Sequence, residues 1–142
     1  MARRVSRLSV LVCWASILTS GFLHGQAQST KAAQTSTEVW LALVDSQNYA
    51  SSWDTAATVF RTRITREQWQ AAAQAARAPL GQLKSRGLKS ATSTTTLPGA
   101  PDGQYVVFQF NARFEQKSAT VETVTAVLEP DGTWRVVGYF IR

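Results

Sequence analysis

Two aspartates are spaced so that they could carry out acid–base chemistry together. Asp45 and Asp54 flank the segment from Tyr49 to Trp53. Paired carboxyl groups can act as general acid and general base when different surroundings separate their pKa values, and Tyr49 is a third candidate for proton transfer. The opposing interpretation is that Asp45 ends a helix and Asp54 bonds locally or faces water. The pattern therefore favours a non-enzymatic protein without deciding the question, and no catalytic residue is assigned.

The first residues limit the chemistry that the rest of the chain can perform. Residues 1–27 combine a basic start, an apolar stretch from Leu8 to Leu23 and small residues before Ala27, which is typical of a secretory signal peptide. We expect cleavage near Ala27 and export to the periplasm or the cell exterior, with membrane contact only through the signal peptide. An uncleaved anchor is the alternative.

Cleavage would remove the only cysteine, Cys13, and the only histidine, His24. Thiol nucleophiles, disulfides, histidine triads and His or Cys metal sites are then excluded within one mature subunit, and no cofactor or metal is expected. Of the 15 basic residues three are lost with the signal peptide, so the net charge falls from +6 to +3. The remaining charge is dispersed, without a basic run among aromatic residues, and nucleic-acid binding is not expected.

After the signal peptide the sequence predicts a disordered leader, residues 28–35, and one folded domain, residues 36–142. Helical spacing of apolar residues and two capping boxes, which begin at Thr35 and Thr65, predict helices over 36–46, 49–61 and 66–78, the first two separate or continuous. Arg77, just before Pro79, is predicted to bond the carbonyls that end the third helix.

The second half of the chain predicts strands. A polar edge strand is expected between residues 83 and 96, and period-two alternation or β-branched residues predict strands over 104–115, 118–129 and 134–141. A turn at Glu129-Pro-Asp-Gly-Thr133 joins the last two strands, and Gly138 is a natural position for a bulge. The fold class is α+β, with N-terminal helices on one face of a bent, cone-like antiparallel sheet of about four strands.

Alternate residues of the predicted strands form an apolar patch on the sheet face opposite to that of Phe108 and Phe110. We predict that this patch binds a partner, including a second copy of the chain; its residues are Tyr105, Val107, Val124 and Leu128. Whether Trp134 and Val136, or Tyr139 and Ile141, join it depends on the length of the Pro-Asp-Gly loop.

Two further groups of residues are candidate binding sites. If Gln116 and Lys117 form a two-residue loop, Asn111 faces Glu122, and Arg113 is the diagonal neighbour of Glu122. These residues then form either a concave polar site or a solvated ion pair between Arg113 and Glu122. The four tryptophans after residue 27, among them Trp53, either line an apolar ligand pocket or form the core.

The order of several short motifs resembles a known family: Trp40-Leu-Ala-Leu-Val-Asp45, Tyr49-Ala-Ser-Ser-Trp53, Arg77-Ala-Pro-Leu-Gly81, Leu97-Pro-Gly-Ala-Pro-Asp-Gly-Gln-Tyr105 and Asp131-Gly-Thr-Trp-Arg-Val-Val-Gly-Tyr139. This is similar to the bacterial exported family catalogued as domain of unknown function 4019, and the similarity runs from Val39 to Arg142. That family has no assigned activity. More remotely the architecture resembles the nuclear transport factor 2-like cone, which hosts isomerases, dehydratases, cyclases and non-enzymatic binding modules; none of the enzymes' catalytic motifs is present here.

Together these observations favour an exported, non-enzymatic module that binds a small ligand or a protein, with a homodimer through the sheet as one expected form. An assembly partner in an envelope complex is a further form of the same hypothesis. The alternative is a cone-type isomerase, dehydratase or cyclase that uses Asp45 or Asp54 with Tyr49 or Tyr105 and needs no histidine, cysteine or metal.

Overall fold

The computed structural model describes residues 20–142, and the side chains from residue 25 onward. Most of the predicted signal peptide therefore lies outside the described residues. Four helices come first, α1 (Ser20–Asp45), α2 (Tyr49–Asp54), α3 (Thr58–Arg63) and α4 (Arg66–Arg77), and a short 3-10 turn (Ala78–Leu80) follows them. Four strands complete the chain: β1 (Leu83–Thr94), β2 (Tyr105–Phe114), β3 (Thr120–Leu128) and β4 (Trp134–Ile141).

The strands form one antiparallel sheet in the order β1-β2-β3-β4. This arrangement, with the helices preceding an open sheet, confirms the predicted α+β class. The β3–β4 hairpin closes as the sequence predicts: Glu129 N donates to the Thr133 carbonyl at 2.8 Å, and Gly132 takes the positive φ that the turn requires. Within residues 20–142, no helix is both long enough and apolar enough to cross a membrane.

The helices differ from the prediction at two places. The first helix includes residues 28–35, which were predicted to be a disordered leader, because Ala33 already packs into the core. The predicted second helix is split into α2 and α3. Between them Ala57 N donates to the Val136 carbonyl at 2.8 Å, and the carboxylate of Glu129 accepts from Thr58 N at the start of α3. These contacts with the β3–β4 hairpin override the helical periodicity of the segment.

The capping box that was predicted at Thr65 is present at the start of α4. The Thr65 hydroxyl accepts from Gln68 N, and the Gln68 side chain accepts from Thr65 N. This motif fixes where α4 begins, and so places Trp69 and Ala73 against the core and Arg77 at the helix end. The core itself lies between the helices and one face of the sheet; its large members include Trp40, Leu41, Val44, Trp69, Val106, Phe108, Phe110, Val124 and Val136.

The register between β2 and β3 differs from the prediction by one residue, so the predicted register is wrong. Phe110, not Asn111, faces Glu122. The turn consists of Glu115 and Gln116, since Phe114 N donates to the Lys117 carbonyl at 2.8 Å, and one extra residue precedes Thr120, which pairs with Ala112. Because successive side chains of a strand alternate between faces, this shift places Glu122, Val124 and Ala126 on the helix-covered face.

A bulge in β4 settles which of its residues face the helices. Val136 pairs with Ala126 and Gly138 pairs with Thr125, so Val137 is the extra residue, next to the predicted position Gly138. As a result both Val136 and, three residues later, Tyr139 face the core. The opposite side of the sheet, here called the open face, carries the other parity: Val107, Gln109, Asn111, Arg113, Val121, Thr123, Thr125, Val127 and Phe140.

Candidate functional site

Five polar side chains meet between the helices and the sheet, each contributed by a different element. Asp45 ends α1, Arg77 ends α4, and Arg86, Glu122 and Tyr139 lie on β1, β3 and β4. We call this group the charge network. The Glu122 side chain is fully buried, Arg77 is 6% exposed, and Arg86 and Asp45 are mostly buried.

Local irregularities in the chain place these side chains. Asp45 lies at the helix end, where Gln47 adopts a positive φ and Asn48 N donates to the Leu43 carbonyl to close the turn. On β1 there are register shifts on both sides of Arg86, which faces inward opposite Ala112. Glu122 and Tyr139 face inward because of the extra residues before β3 and within β4. The network therefore depends on bulges as much as on alternation.

Arg86 is the centre of the network. Its Nη1 and Nη2 donate to the two carboxylate oxygens of Asp45 at 2.7 and 2.9 Å, while its Nε and Nη2 donate to the two oxygens of Glu122 at 2.6 and 3.2 Å. One guanidinium thus binds two carboxylates in bidentate geometry, which is the strongest form of charge-assisted hydrogen bonding.

Arg77 and Tyr139 complete the network. Arg77 Nη2 donates to Asp45 Oδ1 at 2.7 Å, its Nη1 donates to the Tyr139 hydroxyl at 3.3 Å, and the same Nη1 lies 3.6 Å from Glu122 Oε1. The Tyr139 hydroxyl donates to Glu122 Oε1 at 2.7 Å. The Arg77 guanidinium also lies 4.7 Å from the centre of the Phe114 ring, so its apolar face is covered. The prediction that Arg77 bonds the helix-ending carbonyls is replaced by these partners.

The electrostatics of the network favour its ionised form. Burial by itself would raise the pKa of Asp45, but hydrogen bonds and charge from Arg86 and Arg77 hold that pKa below its ordinary value. Burial would likewise lower the pKa of Arg86, but its bonds to Asp45 and Glu122 raise it instead. Burial, followed by the negative charge of Glu122, raises the pKa of Tyr139. Two arginines and two carboxylates make the cluster neutral overall.

This arrangement gives the carboxylates a binding role rather than a basic one. A general base needs a pKa near the working pH and access to the proton it removes. Asp45 has a lowered pKa and accepts from two arginines, while Glu122 is closed off from solvent. The network ties the ends of α1 and α4 to three strands, which makes it a structural link across the domain.

A polar pocket of about 280 Å³ opens beside the exposed edge of Asp45. Tyr49 and Arg77 also line it, together with Gln82 and Glu115. Burial raises the pKa of the Tyr49 phenol, which therefore stays protonated as a hydrogen-bond donor. Among the described residues no cluster of three or more His, Cys, Asp and Glu side chains could hold a metal ion. The pocket can offer hydrogen bonds and the carboxylates of Asp45 and Glu115 to a small polar molecule.

The second aspartate of the predicted acid pair is elsewhere. Asp54 lies at the surface, about half exposed, in an ion pair with Arg66. It is not part of the charge network or among the residues that line the pocket beside Asp45. The structure therefore brings Asp45 and Tyr49 to one pocket and leaves Asp54 outside it.

The tryptophans fill the space between helices and sheet. Trp40 and Trp69 pack in a tilted arrangement with ring centres 5.6 Å apart, and their indole nitrogens donate to the carbonyl and the hydroxyl of Ser52, respectively. Trp53 donates to the Ile64 carbonyl at 2.8 Å and packs against the core from outside. Buried indoles with satisfied N–H groups are core residues. Trp53 lies neither with Arg113 on the open face nor in the charge network.

The four residues predicted to form a partner face are divided between the two sides of the sheet. Val107 lies on the open face. Tyr105 shares its parity but is buried, with its hydroxyl donating to the Pro101 carbonyl at 2.6 Å. Val124, opposite Phe108, and Leu128, opposite Trp134, point toward the helices. Arg113 and Glu122, predicted to be neighbours, also point to opposite faces.

Sequence reasoning missed Arg86 and Tyr139, and it assigned Arg77 different partners. One signal was present: Glu122 shares its strand parity with Val124 and Ala126, and an acidic residue among apolar ones on one face indicates a buried carboxylate that needs cationic partners. No comparable local signal marks Arg86 in the polar strand β1, since its inward direction results from the register shifts around it.

Comparison with known proteins gives a family and no activity. Residues 36–139 match the family model described as a protein of unknown function, DUF4019. Neither the curated proteins nor the solved structures include a match. The matched segment begins within α1 and ends in β4, so it includes all five residues of the charge network. The chain belongs to this family of proteins of unknown function.

Proposed function

We propose that the chain is an exported, non-enzymatic module that binds protein through the open face of its sheet, with a second copy of the chain as one partner. The observation that carries this proposal is a set of apolar side chains on a face that the helices leave uncovered. Val107, Val121 and Val127 are only partly buried there, and Phe140 is 56% exposed. Large apolar side chains that remain in water on one contiguous surface are typical of interaction sites.

The residues between the helices and the sheet support a non-enzymatic role. Aromatic side chains pack the space between helices and sheet, and the acidic groups nearest to it accept hydrogen bonds from arginines. The alternative, a cone-type isomerase, dehydratase or cyclase, needs a carboxylate that can take a proton from a bound substrate. Asp45, with its lowered pKa, is a weak base, and Asp54 pairs with Arg66 at the surface.

The position of the predicted cleavage point is compatible with removal of the signal peptide. The side chains of residues 25–28 are all exposed, and Ala33 is the first buried residue in the described part of α1. Cleavage near Ala27 would therefore remove no side chain of the described residues that contributes to the core. Mass spectrometry of the protein recovered from the cell envelope should show an N-terminus near residue 28; a chain that retains residues 1–27 would contradict cleavage.

Site-specific photocrosslinking in cells that express the full chain tests the binding proposal. A photoreactive phenylalanine analogue at position 140 should give a covalent adduct on illumination, because that ring lies on the open face and is exposed. The matched control places the same analogue at Val39, an exposed apolar residue on α1. The mass of the adduct separates a second copy of the chain from another protein.

Adducts at position 140 and none at Val39 are the expected result. Equal adducts at both positions would contradict a role specific to the open face, and no protein adduct at position 140 would overturn protein binding. Light scattering of the purified protein at tens of micromolar tests self-association separately, and a monomer at that concentration would exclude the second copy as partner.

A further inference from the structure

One end of the open face contains a groove of about 540 Å³ that none of the functions above uses. It lies where β2, β3 and β4 are aligned: Asn111 pairs with Val121, and Val121 exchanges backbone hydrogen bonds with Arg142 at 2.9 and 3.1 Å. Arg113 lies two residues beyond Asn111 on β2 and also lines the groove.

Short side chains make the groove concave. Gly87 on β1 faces Asn111, and a Cβ atom at this glycine would meet no heavy atom within 4 Å. Ser85, opposite Arg113, and the adjacent Ser118 and Ala119 are further short residues of the lining. Longer side chains surround them, so the missing volume at Gly87 becomes a depression in the sheet surface.

Positive charge in the groove is not neutralised by acidic side chains. In residues 25–142 the arginines with acidic partners are Arg66, Arg77, Arg86 and Arg135, whereas neither Arg113 nor Arg142 forms a salt bridge. No aspartate or glutamate lines the groove. The main-chain oxygen of Arg142 accepts from Val121 N, and the Arg142 guanidinium lies 6.0 Å from the centre of the Phe140 ring. A cation–π contact uses the face of the guanidinium and leaves its N–H groups able to donate to a ligand.

The positions of the two arginines allow them to bind one anion. Arg113 lies on β2 and Arg142 directly follows β4, so only β3 separates them. Adjacent strands are about 4.8 Å apart, and the lateral separation of the two backbones is therefore about 10 Å. Two long guanidinium side chains can converge on one group across that distance. The Asn111 side chain, on the same strand and face as Arg113, adds an amide donor.

Apolar residues in the same groove narrow the ligand class. Val121 lines the groove, and Phe140, which is 56% exposed, lies beside it with its ring centre 6.0 Å from the Arg142 guanidinium. Guanidinium groups bind carboxylates and phosphates in bidentate geometry, while an exposed phenylalanine and a partly exposed valine favour an apolar body. We infer that this groove, which we call the arginine groove, binds a small organic carboxylate with an aliphatic or aromatic tail. The inference does not depend on protein binding by the open face.

Titration followed by two-dimensional amide NMR tests the assignment, with protein expressed from the full chain and purified in the form that the cell produces. The probe is hexanoate. Saturable shifts are expected at Gly87, Asn111 and Val121. Acetate, which lacks the tail, and hexanol, which lacks the charge, should each bind at least about tenfold more weakly, and inorganic phosphate serves as the other anion class.

Arg113→Gln and Arg142→Gln should each weaken hexanoate binding about tenfold or more, since each removes a charged donor. The matched control is Arg135→Gln, which removes one positive charge at the other end of the open face and should leave binding unchanged. Equal weakening by all three variants would overturn a defined site in favour of general charge attraction. Absence of saturable shifts would overturn the groove, and acetate or phosphate binding as tightly as hexanoate would overturn the ligand class. Unchanged circular dichroism of each variant shows that it has folded.

Discussion

Arg86 and Arg113 lie one ladder step apart on neighbouring strands, with Arg86 opposite Ala112 and Ser85 opposite Arg113. Their side chains leave the sheet on opposite faces. Arg86 makes four hydrogen bonds to the carboxylates of Asp45 and Glu122, whereas Arg113 has no acidic partner in the described part of the chain. An arginine side chain is thus hydrogen-bonded to carboxylates on the covered face and has no acidic partner on the open face.

The difference follows from the cost of removing charge from water. A guanidinium within the protein must recover its lost hydration through hydrogen bonds and opposite charge, and breaking such a pair leaves an uncompensated buried ion. An exposed guanidinium keeps its hydration and needs no partner in the protein. Substitutions in the charge network should therefore change stability strongly, and substitutions in the arginine groove should change binding with little effect on stability.

The largest expected effect comes from Glu122→Gln, which removes one negative charge and keeps the shape of the side chain. Arg86 and Tyr139 then face an amide, and the network carries an uncompensated positive charge. Destabilisation by about 3–5 kcal/mol is expected from urea unfolding, in line with other broken buried ion pairs.

The matched control for Glu122→Gln is Asp54→Asn, which removes one member of the half-exposed pair with Arg66. Its effect should stay below about 1 kcal/mol, because exposed ion pairs contribute little. Similar costs for the two variants would contradict the distinction between a structural network and surface pairing.

Acid should remove the stability that Asp45 contributes to the charge network. The pKa of Asp45 is lower in the folded chain than its ordinary value of 3.8, so the folded state binds fewer protons than the unfolded state. The stability that Asp45 contributes is therefore complete above about pH 4 and is lost as the pH falls through the lower, folded-state pKa. Urea unfolding at intervals from pH 7 to pH 2 should show this loss.

Asp45→Asn should flatten that part of the acid profile, since the variant has no carboxyl group to titrate at this position. Asp54→Asn, which removes a half-exposed carboxyl group at the surface, serves as the reference. If the stability of Asp45→Asn falls as steeply with decreasing pH as that of the wild type, other carboxyl groups account for the loss.

A smaller effect is expected at high pH. Burial and the neighbouring charge of Glu122 raise the pKa of Tyr139 above the ordinary 10.0, so the folded state keeps this proton where the unfolded state loses it. Stability should fall as the pH rises above about 10, and Tyr139→Phe should reduce that fall. At pH 7 the same variant should cost about 1 kcal/mol for the lost hydrogen bond to Glu122. Equal alkaline slopes in both proteins would contradict a buried, neutral Tyr139.

Local patterns were sufficient to predict the elements of this fold. The alternation of Val106, Phe108 and Phe110, the capping box at Thr65 and the turn before Thr133 each act over a few residues, and each is present in the structure. The order of helices and strands followed from them. The split between α2 and α3 was not predictable in this way, because it arises from bonds to the distant residues Val136 and Glu129.

The charge network required information that local patterns do not contain. Glu115-Gln116 has no residue that favours a positive φ, so nothing in the sequence located that turn, and the extra residue before Thr120 reversed the face of every β3 side chain. A bulge at Val137 then turned Tyr139 inward. Since the network joins five elements, an error of one residue in one register was enough to assign Glu122 to the wrong face and conceal its partners.

The smallest expected change in stability comes from Gly87→Val, which should change ligand binding on the open face without destabilising the domain. Gly87→Val adds a branched side chain where the space next to the glycine is empty, so no clash is introduced. Valine also suits a strand better than glycine, and stability should be unchanged or raised by up to about 1 kcal/mol. The new side chain fills the floor of the arginine groove, so hexanoate binding should be lost in the same NMR titration although Arg113 and Arg142 remain.

A serine at position 87 should weaken binding less than valine, because it adds less volume. Binding by Gly87→Val at wild-type affinity would show that the ligand does not occupy the depression at Gly87, and a large loss of stability would show that this part of the open face is packed more tightly than the structure indicates.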